Sequence, residues 1–251
     1  MIDRLRHGAR QWCEGRYQIS IRQEGMHFKD QRLLTLSTPA QMAAILKNGN
    51  PLSAYKKGTL ITVYNKMQKG YQYRLEETPG HGMAFEPDLT PAEMLSRGVF
   101  SGKYANDMIL EFPREWFEDA LAAGKLCPGE ADPSVNEFGV AARLTRREWK
   151  AYGWLPGGAT AKTARNAILS DPTKNHDLRG FFEWYMRYYL GRREPEIDAV
   201  QIARYKAIWR HASQVLKLGG GDPTRRKKQR QTLLQWGWNP MIDKTRKQKR
   251  T

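Results

Sequence analysis

Five cations fall within six positions: Arg225, Arg226, Lys227, Lys228 and Arg230. They follow Asp222-Pro223, an acceptor side chain and a proline that together read as a helix start. The first turn of a helix is its positive end and favours anions. A helix running from Pro223 with cations in that turn therefore asks for an external anion, and a phosphate answers both the dipole and the side chains. Leu233, Leu234, Trp236 and Trp238 would anchor the far end. At least one of the two tryptophans flanking Gly237 could stack on an extruded base, although core packing suits Trp236 better.

Two other stretches hold groups that could move protons or grip phosphates. In 98–116, Gly98 and Gly102 bracket Lys103, Tyr104, Asn106 and Asp107. A glycine-flanked lysine at a helix start suits a phosphate, and Asp107 suits proton transfer. The Lys103–Asp107 spacing also fits an ordinary ion pair on a helix surface. In 177–193, read as one helix from Asp177 to Leu190, Arg179, Glu183 and Arg187 share a face while aromatics occupy the rest. Such a row is either neutralised internally or lines a cleft. In a cleft, Glu183 is a candidate general base, raised by burial and lowered by its arginines. Arg192 and Arg193 could grip phosphate bidentately at the following turn, or simply complement the helix dipole. The phosphate-binding candidates are thus Arg179, Arg187, Arg192, Arg193, Arg225, Arg226, Lys228 and Arg230. The catalytic candidates are Asp107, Glu183 and Lys103, and the base-stacking candidates are Tyr104, Tyr188 and Trp238.

Charge distribution supports a polyanionic partner. The 251 residues carry a net charge of +16, and ten cations against two acids lie beyond residue 218. A basic excess concentrated in one segment points to nucleic acid. A membrane surface is not expected, because 225–230 lacks a broad apolar stripe and no apolar run approaches 18 residues. Residues 244–251 read as a solvated basic tail. Cys13 and Cys127 stand apart from each other and from the five scattered histidines, so no zinc site is expected. The composition suggests a reducing, cytoplasmic compartment.

The elements that must position these groups change character along the chain. Residues 1–89 predict a small α+β lobe. It holds a hairpin over 16–29 with Gly25 in its turn, a helix after Thr38-Pro39, and a strand, turn and strand over 58–75, with β-branched residues at 59–63 and Gly70 near a bend and a helix over 60–68 as the alternative. Arg4, Arg6, Arg10 and Lys56-Lys57 give this lobe an accessory basic surface. Pro- and Gly-rich 76–89 reads as the connection. From Thr90 to residue 240 the signals are helical, with Thr-x-x-Glu boxes at Thr90/Glu93 and Thr145/Glu148. One long amphipathic helix runs from Pro195 to the glycines at 219–221, with His211 upon it as a structural histidine. The fold class expected is mainly α with the small α+β lobe, the helical part running over 90–240 and the tail over 241–251.

Over 90–240, the stretches GVFSGKYANDMILEFPREWF, DPSVNEFGVAARLTRREWKAYGWL, DLRGFFEWYMRYYLGRR and DPTRRKKQRQTLLQWGW resemble a family of helical proteins from bacteria, phages and some eukaryotes. More loosely, they are similar to the phage alpha-glutamyl/putrescinyl-thymine pyrophosphorylases, themselves distantly similar to helix-hairpin-helix DNA glycosylases. LPGGATAKTA, 155–164, is a distorted echo of the glycosylase hairpin, whose backbone N–H groups hold a DNA phosphate. The resemblance implies a DNA-modifying transferase that replaces pyrophosphate on 5-(pyrophosphoryloxymethyl)uracil by a small amine or amino acid. No cofactor is evident, though Mg²⁺ would suit a departing pyrophosphate. A base-excising glycosylase is a close variant, and a non-enzymatic DNA- or RNA-binding protein needs only the basic helix and tail.

Overall fold

Three capping boxes fix where helices begin. Thr38, Thr90 and Thr145 each accept from the backbone N–H three residues on, and Gln41, Glu93 and Glu148 reach back to the cap. The computed structural model describes residues 26–27, 29–159, 164–219 and 221–242. Its helices in chain order are α1 (Arg32–Thr35), α2 (Pro39–Leu46), α3 (Pro91–Arg97), α4 (Glu115–Ala122), α5 (Arg146–Ala151), α6 (Ala164–Ala167), α7 (Phe181–Leu190), α8 (Pro195–Ala207), α9 (Trp209–Gly219) and α10 (Lys227–Gln235). The strands are β1 (Met26–His27), β2 (Leu60–Tyr64) and β3 (Lys69–Arg74). The protein is mainly α with a small α+β part.

The sheet has the order β1-β2-β3. β1 runs parallel to β2, with Met26 opposite Ile61, and β2 runs antiparallel to β3, with Ile61 opposite Tyr73. The expected hairpin over 16–29 lies outside the described residues apart from β1. β2 alternates as a half-buried strand does, with Ile61 and Val63 inward. The buried apolar side chains, Phe138 and Leu155 apart, form one contiguous cluster from Leu33 to Ile242, so the core runs across residue 89. Backbone bonds also cross it: Arg114 N–H donates to the Asn50 carbonyl at 3.0 Å, and Leu52 N–H to Glu115 Oε2 at 3.0 Å.

Three helices differ from the sequence-based expectation, each for a physical reason. α7 begins at Phe181, not Asp177, because Gly180 has φ +84° and interrupts the run. Tyr104 then supplies the missing cap, its hydroxyl accepting from Glu183 N–H at 3.1 Å. The long helix from Pro195 is broken at Ile208 into α8 and α9. There the Tyr205 carbonyl, which an unbroken helix would offer to Trp209, receives Trp238 Nε1 at 3.3 Å and Ile208 N–H at 3.1 Å. Finally, Asp222-Pro223 opens a turn, not a helix. Asp222 Oδ1 accepts from Thr224 N–H and Oγ1, Arg226 turns left-handed with φ +57°, and α10 starts at Lys227.

Candidate functional site

Arg179, Glu183 and Arg187 do come together, but within a larger buried network. Four carboxylates, Asp107, Glu111, Asp177 and Glu183, meet three guanidiniums, Arg179, Arg187 and Arg192, and all four carboxylate side chains are buried. Arg187 is fully buried. It donates to Glu111 at 2.7 Å, Asp177 at 3.1 Å and Gln68 at 2.9 Å, and lies 3.4 Å from Glu183. β3 sets Tyr71 and Tyr73 against its guanidinium, at 5.3 and 5.7 Å. Arg192 holds Asp177 at 2.6 Å. Arg179 holds Asp107 at 2.8 Å, and its backbone N–H donates to Glu183 Oε2 at 2.7 Å. Asp107 also accepts from Lys66 N–H at 2.9 Å, tying the β2–β3 turn into the network.

The pH behaviour of this cluster follows from burial first. Loss of water pushes the Glu183 carboxyl up to about 7, while Arg187 and Arg179 oppose that rise and Asp177 and Glu111 reinforce it. Burial also disfavours the charge of Arg187, yet Glu111, Glu183 and Asp177 together hold its pKa well above the usual arginine value. Burial raises the Tyr104 phenol, and the neighbouring Glu183 adds to the rise.

Tyr104 and Arg179 also line a cleft of about 450 Å³. α7 contributes Phe181 and Phe182, α5 and its following turn Trp149 and Trp154, and the end of α10 Trp236. Phe100 and Phe182 stack with centroids 5.4 Å apart, and Phe181 meets Trp236 at 4.1 Å with the rings tilted by 32°. Four cations, Arg143, Arg179, Arg204 and Lys228, line the cleft, and among the described residues no aspartate or glutamate does. Phe100 forms part of the wall with φ +51°, followed by Ser101 at +57°. The amide side chains of Gln235 and Asn136 accept their N–H groups at 3.1 and 2.8 Å and hold this strained pair.

Of the sequence-derived candidates, Tyr104, Arg179 and Lys228 reach the cleft. Asp107 and Glu183 do not line it. Lys103 donates to the Gly129 carbonyl and lies 3.7 Å from Glu130. Arg187 and Arg192 are absorbed by their carboxylates. Arg193 is committed to the Tyr188 and His81 carbonyls at 2.6 Å and lies 4.1 Å over the Tyr188 ring. Tyr188 is buried against Trp184, and its hydroxyl accepts from Ala84 N–H at 2.8 Å. Trp238 is fully buried, so of the two tryptophans beside Gly237 the one facing the cleft is Trp236. Arg230 is also fully buried. It donates to the carbonyls of Arg225, Pro240 and Asp222 at 3.0, 2.6 and 2.9 Å, clamping the turn before α10 instead of facing outward. Arg225, Arg226, Lys227 and Lys228 make no ion pair among the described residues, and all but the half-buried Arg226 are exposed.

Arg204, Trp149 and Trp154 are cleft residues that the sequence pattern did not single out. A signal for Arg204 existed: it sits four residues from both Val200 and Ile208, in the apolar stripe of its own helix. No group of three or more His, Cys, Asp or Glu side chains among the described residues could hold a metal ion. The buried carboxylates are met by arginines instead, so this donor set does not fit Mg²⁺. Among the described residues no helix is long and apolar enough to cross a membrane. The glycine turn at 157–158 is fixed by bonds to Ser170 and from Ala159 to Lys150, while residues 160–163 of the hairpin-like stretch lie outside the described residues. No protein-family model, curated protein or solved structure matches the chain.

Proposed function

We propose that the protein binds a nucleic-acid strand across the exposed cations before and within α10 and receives an extruded base in the aromatic cleft. The supporting observation is the cleft's lining: stacked aromatic walls with four cations and no carboxylate among the described residues. Each base stacked on an aromatic side chain gains about 1–3 kcal/mol whatever its identity, and rim cations such as Arg143 and Lys228 suit the flanking phosphates. The test is a duplex carrying 2-aminopurine opposite a mismatch, in dilute salt. Wild-type protein should retard it on a gel and brighten the probe. Trp236→Ala should keep the retardation and lose the brightening. Absence of retardation by the wild type removes the reading altogether.

A second reading follows the resemblance, and the cations together with His211 favour it. The base would be 5-(pyrophosphoryloxymethyl)uracil in DNA. An amine nitrogen bonds to the exocyclic methylene carbon, the carbon–oxygen bond breaks, and pyrophosphate leaves toward the cleft cations. The proton lost by the amine passes to a base. His211 lines the cleft, and burial lowers its pKa with Arg210 adding to the effect, so it is suited to that role as a neutral imidazole. A glycosylase needs a carboxylate facing the sugar, and none lines the described cleft. Nucleoside mass spectrometry of modified DNA incubated with protein and putrescine or glutamate would reveal the product.

A further inference from the structure

Arg204 is a cleft cation seated between two indoles and neutralised by no carboxylate among the described residues. Its guanidinium carbon lies 5.2 Å from the ring centroids of both Trp154 and Trp236. One Nη donates to Gln201 Oε1 at 2.7 Å, and no carboxylate among the described residues pairs with it. Arg187, fully buried where Arg204 is half-buried, meets three carboxylates. The difference shows in acidity: burial alone pulls Arg204 down to about 10, with no anion to offset it. A second guanidinium facing the cleft, that of Arg179, has a buried Nε–H without a hydrogen-bond partner. A half-buried guanidinium seated beside two indoles and bonded through one Nη can offer further N–H donors to an oxyanion.

We infer that the cleft is a subsite for a nucleoside phosphate ester, the ring lying on the aromatic walls and the phosphate on Arg204. This rests on the base-binding reading and narrows its ligand from a bare base to a nucleotide unit. The cleft volume of about 450 Å³ falls in the range of roughly 300–1,000 Å³ typical of small-molecule sites. Arg143 and Lys228 at the cleft extend the same positive field. The phosphate can come from a strand or from a free mononucleotide, and the chemistry at Arg204 is the same.

The experiment is calorimetry on the full chain with thymidine, thymidine 5′-monophosphate, inorganic phosphate and a short single-stranded oligonucleotide, using wild type, Arg204→Gln and Arg204→Lys. In wild type, the monophosphate should bind at least tenfold more tightly than thymidine, and inorganic phosphate only weakly. Arg204→Gln should lower monophosphate affinity more than thymidine affinity and so erase that advantage, and Arg204→Lys should restore part of it. Oligonucleotide binding that depends on Arg204 without a mononucleotide preference assigns the phosphate to the strand. Equal affinity for nucleoside and monophosphate, with an oligonucleotide indifferent to Arg204, overturns the inference and leaves base binding standing. An equal loss of thymidine and monophosphate binding in Arg204→Gln also overturns it. Retention of the oligonucleotide with no nucleoside or nucleotide binding, and no dependence on Arg204, defeats both the inference and the base-binding reading. The wild-type comparison of the two thymidine ligands needs no variant to fold.

Discussion

Glu183 shows how far one side chain's chemistry departs from its type. Its carboxyl titrates near 7 because burial outweighs two arginines, against about 4.3 in an unfolded chain. The folded state therefore holds this proton more tightly than the unfolded state. The stability it contributes is fully present below about pH 4.3 and is lost as pH rises through 7. Glu183→Gln should flatten the fall in melting temperature between pH 5 and 8, measured by circular dichroism in matched buffers, whereas an unchanged profile would assign the dependence to other groups. That a charged row would cluster at 179–187 was legible in the sequence. Its partner Glu111 was not, because it comes from another segment and only folding brings it within reach of Arg187. The same limit applied to Trp236 and Trp238. Their burial depends on which one Tyr205 and Trp209 cover, a tertiary fact that local pattern does not contain.

At the scale of elements, local chemistry predicted starts better than continuities. The three threonine boxes and the strand pair at 60–74 were readable because capping and alternation are decided within a few residues. The breaks at Gly180 and Ile208 and the late start of α10 depend on distant side chains or on a turn that outcompeted the helix. The late start changes the charge argument. Arg225 and Arg226 sit in the turn, leaving Lys227 and Lys228 to open the helix. Replacing Arg225, Lys227 and Lys228 by glutamine should lower the slope of log affinity against log salt by about one for each phosphate no longer neutralised. These side chains are exposed and unpaired among the described residues, so the melting temperature should scarcely move. Gel-shift titrations at several salt concentrations give the slope. An unchanged slope would remove this segment from the interface.

For the molecule as a whole, the contiguous core implies cooperativity across the α+β and helical parts. Leu33, Met42 and Ile61 belong to the same cluster as Phe182, Leu233 and Trp238, and Asp107 is fixed by a backbone N–H from the β2–β3 turn. The full chain should unfold in urea with a single transition by both circular dichroism and tryptophan fluorescence. A fragment of residues 90–251 should show no cooperative transition, and a sigmoidal unfolding curve from that fragment would mean the helical part stands alone. The indole of Trp238 has a longer reach than its burial suggests. By donating to the Tyr205 carbonyl from 33 residues away, it takes an acceptor that an unbroken 195–219 helix would use, at the junction between Arg204 and His211. The separation of those two groups at the mouth is thereby written into a side chain that never touches whatever enters, so altering position 238 would reshape the entrance without changing any residue that lines it.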